Sequence, residues 1–223
     1  MAELIADIRA ERIGENLANV REQIALAAAR AGRDPAEVQV LAATKYVSLE
    51  HMPELARAGI QLVGENRAQD LQAKVAAHGE LFTWHFIGQL QSRRVPLIVP
   101  HVHLIHSLAS ESALRALELH RDHARPGLRV LVQVNVAREP GKAGVLPEEL
   151  PLYLERSPLP VAGLMTMPPL VPDPEASRPW FAALRELAQV HGLRELSMGT
   201  SQDYLAAVAE GATLVRLGAV LYH

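Results

Sequence analysis

From Val38 to Tyr222 the chain repeats one pattern eight times: a short apolar run leads into an amphipathic stretch, and then the next apolar run begins. The runs are VQVLAATK, QLVGEN, TWHFIG, LIHSLAS, LRVLVQVNV, PVAGLMTMP, ELSMGTS and ATLVRLGAVLY. Strands that alternate with helices imply right-handed βαβ units and a parallel sheet. The runs are continuously apolar instead of alternating, which is what burial of both strand faces requires. Eight such units predict an α/β fold, a single (β/α)8 barrel of the TIM type, with an open doubly wound sheet as the competing architecture. Ahead of the repeat, Ile13, Leu17, Val20 and Ile24 recur at helical spacing. They predict an additional N-terminal helix over residues 4–31, with Gly32 as its stop.

Nothing in the composition divides the chain. Its 223 residues suit one barrel, and the proline-rich run from Pro168 to Pro174 is too short for a linker, so residues 1–223 are expected to form one domain. A formal charge of -3 lacks the basic stripe that nucleic acid or anionic lipid calls for. The N-terminal stretch MAELIADIRA carries acids where a targeting segment has basic residues, and no apolar run approaches the roughly 18 residues of a membrane span. A soluble, cytoplasmic protein is expected. The absence of cysteine removes disulfides, thiolate metal sites and cysteine nucleophiles.

Active sites of such barrels gather at the carboxyl ends of the strands, and here those ends are polar. They offer Thr44-Lys45, Glu65-Asn66-Arg67, His85 with Gly88, His106-Ser107, Asn135, Met165-Thr166, Gly199-Thr200-Ser201, and Arg216 with Gly218. Lysine is scarce: of 22 basic residues only Lys45, Lys74 and Lys142 are lysine. Lys45 closes the run VLAAT, which predicts an ammonium at the inner rim of the barrel. Desolvation there favours the neutral amine, the form that attacks carbonyls. The plain alternative is a rim lysine paired with Glu65.

A second feature lies at the last two strands. Met198-Gly199-Thr200-Ser201 leaves a strand for a helix beginning near Gln202, which turns backbone N–H groups and two hydroxyls outward as an anion site. Arg216-Leu217-Gly218-Ala219 adds a glycine at the next strand end, where barrels commonly hold phosphate. Singly these residues would read as a Ser201 helix cap and a packing glycine; side by side they favour a phosphorylated ligand. Arg216, flanked by Val215 and Leu217, points inward and needs a partner. Glu65 could supply it, or a ligand's ring nitrogen or phosphate.

Other features carry less. In HVHLIH only His101 and His103 share a strand face, and no acid joins them as a metal ligand. GKAG lacks the elements of a P-loop, so Lys142 reads as a loop lysine. Trp84 and Phe86 read as core, and Lys74 sits on the third helix without special context.

The segments LAATK, VGENRAQDLQAK, WHFIGQLQ, IHSLAS, LVQVNV, GLMTMPP, LSMGTSQD and VRLG, in this order and spacing, resemble the pyridoxal phosphate homeostasis protein family. The barrel of that family is similar to the N-terminal domain of alanine racemases. The match runs from about Val38 to Leu217. It implies pyridoxal 5'-phosphate held as an internal aldimine, with Lys45 in the position of the aldimine lysine. It also implies a phosphate cradle of Thr200, Ser201, Gly218 and Ala219, Arg216 facing the pyridine nitrogen, and Asn66 lining the pocket. His85 and Met165 match motif positions without an assigned role. An arginine at the pyridine nitrogen leaves it unprotonated and weakens the ring as an electron sink. The sequence departs from the family at Thr200, usually methionine, at Ala219, usually a hydroxyl residue, and at Tyr222-His223, usually Phe-Gly. The hydroxyl lost at 219 removes one phosphate donor, for which Thr200 could stand in.

The resemblance implies a carrier that buffers the cofactor in vitamin B6 homeostasis without established catalysis, serving PLP-dependent apoenzymes and binding no metal. The first rival is a fold type III amino-acid racemase with weak activity. Racemisation by two bases needs a second base, which alanine racemases draw from a further domain. With the sequence ending at His223, that domain is not expected, a monomer is, and Tyr46, Tyr153, Tyr204 and Tyr222 lack the context of a second base. A Schiff-base aldolase, colourless at rest, is the third class.

Overall fold

A computed structural model describes residues 4, 5 and 7–223. Residues 1–3 and 6, part of the acidic N-terminal stretch, lie outside the described residues. The apolar runs form eight strands: β1 (Gln39–Ala43), β2 (Leu62–Glu65), β3 (Thr83–Phe86), β4 (Leu104–Leu108), β5 (Arg129–Gln133), β6 (Val161–Met165), β7 (Glu195–Thr200) and β8 (Leu214–Leu217). Each pairs in parallel with the next, and β8 returns to β1 through Val40↔Val215 and Ala42↔Leu217, closing the barrel. The open sheet is thereby excluded.

The helices are α1 (Ala10–Arg30), α2 (Met52–Arg57), α3 (Ala68–His78), α4 (Val95–Ile98), α5 (Glu111–His120), α6 (Leu150–Arg156), α7 (Arg178–Val190), α8 (Tyr204–Ala209) and α9 (Ala219–Tyr222). The helix expected over 4–31 begins at Ala10, after an extended Arg9. The chain ahead of it is held otherwise, the Ile5 N–H donating to the Tyr46 carbonyl at 2.9 Å. The expected stop is a Schellman turn: Gly32 takes a left-handed φ of +67°, its N–H donates to Ala29, and Arg33 N–H donates to Ala28. The stripe Ile13, Leu17, Val20, Ile24 and Ala28 is buried, against α8 and α9. Full burial of each larger side chain contributes about 1.5–3 kcal/mol.

Strand residues alternate between the helical shell and the interior. Ala42, Val63, Trp84, Phe86 and Val215 join the large outer core, and Trp84 and Phe86 are core as read. Leu104, Leu131 and Met165 form a separate inner cluster. By the same alternation Leu41 and Ala43 project toward the interior. Among the described residues no helix is long and apolar enough to cross a membrane.

Candidate functional site

The carboxyl ends of β7, β8, β1 and β2 bring together the residues singled out in the sequence. Thr200 and Arg216 are register partners at the ends of β7 and β8. Gly218 lies beside β1, where an added Cβ would meet Ala43 Cβ at 3.9 Å. Lys45 stands two residues beyond Ala43, in the turn after the strand. A cavity of about 260 Å³ opens at this mouth between Thr200, Asp203, Arg216, Ser177 and Lys142. Thr200 and Arg216 line it; Lys45 and Asn66 share the mouth but lie outside that lining.

Lys45 is exposed, its ammonium 4.6 Å from the centre of the Tyr46 ring. This corrects two expectations, since Lys45 is not desolvated at an inner rim and does not pair with Glu65. The physical reason is that the strand stops at Ala43, and the turn carries the lysine past the wall. Glu65 is instead taken by Lys74, the lysine read as having no special context. Lys74 and Glu65 form an ion pair with side-chain exposures of 7% and 0%, buried behind the wall.

That pair holds the chain that carries Lys45. Lys74 Nζ donates to the Thr44 carbonyl at 2.8 Å, and Thr44 Oγ1 donates to Glu65 at 2.7 Å. The second Glu65 oxygen accepts the Asn66 N–H at 3.1 Å, and the Tyr222 hydroxyl donates to the Ala43 carbonyl at 3.1 Å. Residues 43, 44 and 66 are thus fixed from behind while Lys45 stays free in front. Lys74 reaches this place because it continues the buried stripe of α3 after Ala68 and Leu71. Helical spacing, and the scarcity of lysine, were signals for it.

The phosphate-cradle candidates are already interlinked. Ser201 Oγ accepts N–H bonds from Gly218 at 3.1 Å and Val220 at 3.4 Å, so it caps the turn into α9 and not α8. Its own proton remains free to donate. Thr200 N–H and Oγ1–H both donate to Asp203, at 2.7 and 3.0 Å, so the Thr200 hydroxyl proton is committed and is no substitute for the one missing at Ala219. Ala219 opens α9 and offers only backbone. The close strand ends depend on Gly88, where a Cβ would fall 2.1 Å from the Asn66 carbonyl.

Arg216 is buried, and its partners are Ser197 and Thr166, not Glu65: Nη1 donates to Ser197 Oγ at 2.6 Å and Nη2 to the Thr166 carbonyl at 3.0 Å. Burial lowers its pKa to about 10, against the opposing pull of Asp203, so it stays cationic at neutral pH. Its remaining N–H groups are left for a ligand. Among the described residues, two buried atoms at the mouth lack partners, Asn66 Oδ1 and Ser177 Oγ. Ser177, which lines the cavity, was not anticipated from sequence and carried no motif signal. A serine hydroxyl proton without an acceptor, an arginine with spare N–H groups and two unpaired polar atoms fit a small ligand with an anionic group and ring acceptors.

Two histidines set aside or left without a role in the sequence meet inside the barrel, His85 Nδ1 and His106 Nε2 lying 3.0 Å apart. His101 and His103 do not share a strand face, since β4 begins at Leu104. Among the described residues no cluster of three or more metal-ligating side chains occurs. Lys142 is a loop lysine bonded to Glu139 at 2.9 Å. Burial lowers the His85 pKa to about 3, with His103 and Arg129 adding to it, and drives His106 well below its ordinary value. The unfolded chain binds these protons near pH 6.5 and the folded chain does not, so stability falls as pH drops below 6.5. Unfolding free energies from urea titration at pH 7.5 and 6.0 should differ by about 1–2 kcal/mol for the two rings together; equal stabilities would show that the rings titrate normally.

The model of the alanine racemase N-terminal domain matches residues 15–223. A pyridoxal phosphate homeostasis protein of Pseudomonas aeruginosa is 40% identical over 217 residues, covering 94% of each chain. One from Aquifex aeolicus is 39% identical over 219 residues, covering 93% of this chain and 96% of the relative. Among solved structures, PipY of Synechococcus elongatus PCC7942 with PLP bound has a TM-score of 0.78 and 33% identity, covering 95% of this chain and 100% of that one.

Proposed function

Because the chain belongs to the alanine racemase N-terminal domain family, and within it to the pyridoxal phosphate homeostasis proteins, we propose that it binds pyridoxal 5'-phosphate at this mouth and serves vitamin B6 homeostasis as a carrier. The observation that carries the reading is the convergence of a free lysine, a serine-capped glycine turn and a buried arginine on adjoining strand ends. The cofactor, once bound, supplies an electrophilic aldehyde on an aromatic ring with a phosphate.

The residues divide the work of holding it. Lys45, whose exposed amine is open to an incoming cofactor, would hold it at the aldehyde. The Ser201 hydroxyl proton and the Ala219 N–H at the start of α9 would take the phosphate, while the Gly218 N–H stays on Ser201 Oγ and holds that hydroxyl in place. Thr200 supports this loop through Asp203, and Asn66 Oδ1 gains the partner it lacks. Arg216, fixed by Ser197 and Thr166, would offer its remaining N–H groups to the pyridine nitrogen as a donor-only partner. Held against a donor-only guanidinium, the cofactor would supply weak electron withdrawal, which favours holding over turnover. The protein acts as a cytoplasmic monomer that passes the cofactor to PLP-dependent apoenzymes.

Protein incubated with excess cofactor is expected to show a visible absorption band that borohydride fixes irreversibly, without racemising L-alanine at a substantial rate. No band at all would overturn the binding reading. Brisk racemisation would overturn the carrier reading in favour of an enzyme.

A further inference from the structure

His85 on β3, His106 on β4, Ser197 on β7 and Arg216 on β8 form one connected line of buried polar side chains through the barrel interior. His85 Nδ1 and His106 Nε2 are 3.0 Å apart, His106 Nδ1 and Ser197 Oγ 2.9 Å, and Ser197 Oγ and Arg216 Nη1 2.6 Å. The line rises from low in the barrel, where His85 pairs in register with Gly64 and Leu104, to the mouth, where Arg216 is level with Thr200. We infer that it is a one-way hydrogen-bond relay with both imidazoles in the Nε2–H form, and that His85, His106 and Ser197 are positioning residues for Arg216.

The direction follows from what each group can do. A guanidinium only donates, so Ser197 Oγ accepts from Arg216, and its own proton goes to the neighbour that remains, His106 Nδ1. That nitrogen is therefore bare, and the ring's proton sits on Nε2. From Nε2 it is donated to His85 Nδ1, which must also be bare, leaving the His85 proton on its own Nε2. The reverse polarity would have His106 Nδ1–H donate to Ser197 and would strand the Ser197 proton, in a residue of 0% exposure, without an acceptor. The charged and titratable groups facing the two rings are Arg216 above, and Arg129, His103 and Glu195 below; the Glu195 carboxylate is taken by its ion pair with Arg129 and so does not favour a protonated ring.

At its lower end the relay stops at a cavity of about 970 Å³ under the barrel, which His85 lines together with His103, Arg129 and Glu195. At its upper end it does something specific. With Nη1 held by Ser197 and Nη2 by the Thr166 carbonyl, the guanidinium plane has no freedom to rotate, and its unused N–H groups are aimed rather than merely present. This gives His85, within WHFIG, a role in the site although it lies far below the mouth.

The role of Arg216 toward the cofactor rests on the proposed reading, but the tautomers do not, so they are measured on protein freed of cofactor. Long-range ¹H–¹⁵N spectra of histidine-labelled protein should show both rings with a protonated Nε2 and a bare Nδ1, unchanged from pH 6 to 8. Ser197→Ala should abolish the single-tautomer pattern of His106 and the slow rotation of the Arg216 terminal nitrogens, and Ser197→Thr, which keeps the hydroxyl, should restore both. A protonated Nδ1 on either ring, or no change at His106 in Ser197→Ala, would overturn the relay. Should Ser197→Ala fail to fold, the wild-type spectrum alone decides the polarity.

Discussion

Lys74→Met is expected to destabilise the protein by about 3–5 kcal/mol, because it removes one partner of a buried ion pair and leaves the other charged and unpaired. Glu65 has 0% side-chain exposure, and its oxygens otherwise receive only the Thr44 hydroxyl and the Asn66 N–H, neither of which carries a charge. Methionine matches the length of the lysine stem, so packing of the α3 stripe is retained and the loss isolates the charge. Adding Glu65→Gln should recover most of that loss, since the amide oxygen still accepts from Thr44 without a charge to bury. Denaturant unfolding of both single variants and the double variant measures the coupling. A loss under 1 kcal/mol in Lys74→Met would mean that Glu65 is hydrated or protonated in the folded protein. The single variant should also loosen the Thr44 carbonyl, and with it the turn that presents Lys45.

Lys45→Ala is expected to remove all covalently held cofactor, together with the visible band of the wild type. The reason is one of supply. The chain has three lysines, and only Lys45 presents a free amine at strand ends that also offer a phosphate cradle. Lys74 is sealed behind the wall against Glu65, and Lys142, at the rim of the mouth cavity, is engaged by Glu139. Spectra of wild type and variant at equal cofactor concentration read the effect. Retention through the phosphate alone should remain, since Ser201, Gly218 and Arg216 are untouched, but it should be reversible by dialysis. A band of undiminished intensity in Lys45→Ala would mean that another amine serves.

Eight strands and the N-terminal helix were legible because each rests on a local signal, continuous apolar runs or apolar residues at helical spacing; closure was suggested only by the number of strands, and the pairing of β8 with β1 decides it against the open sheet. The inward course of Arg216 was legible from its apolar neighbours, Val215 and Leu217. What escaped depends on how distant elements approach each other. Lys74 lies in an unremarkable helix, and its burial is decided by the meeting of α3 with the ends of β1 and β2. The partner of Arg216 comes from β7, where Ser197 looked like any small strand residue. His106 was grouped with its neighbours in HVHLIH, although its partner sits on the adjacent strand. The exposure of Lys45 turns on where β1 stops, and strand ends are blurred in sequence. The resemblance placed the same seven residues at one mouth, and the geometry brings them to the ends of four adjoining strands.

Lys45 is the residue proposed to carry pyridoxal 5'-phosphate. This role is tested most directly by loading the protein with the cofactor, reducing it with borohydride, digesting it and locating the modified lysine by mass spectrometry. One stoichiometric modification is expected, on the peptide containing Lys45. A label on Lys142 or Lys74, or none at all, would contradict it.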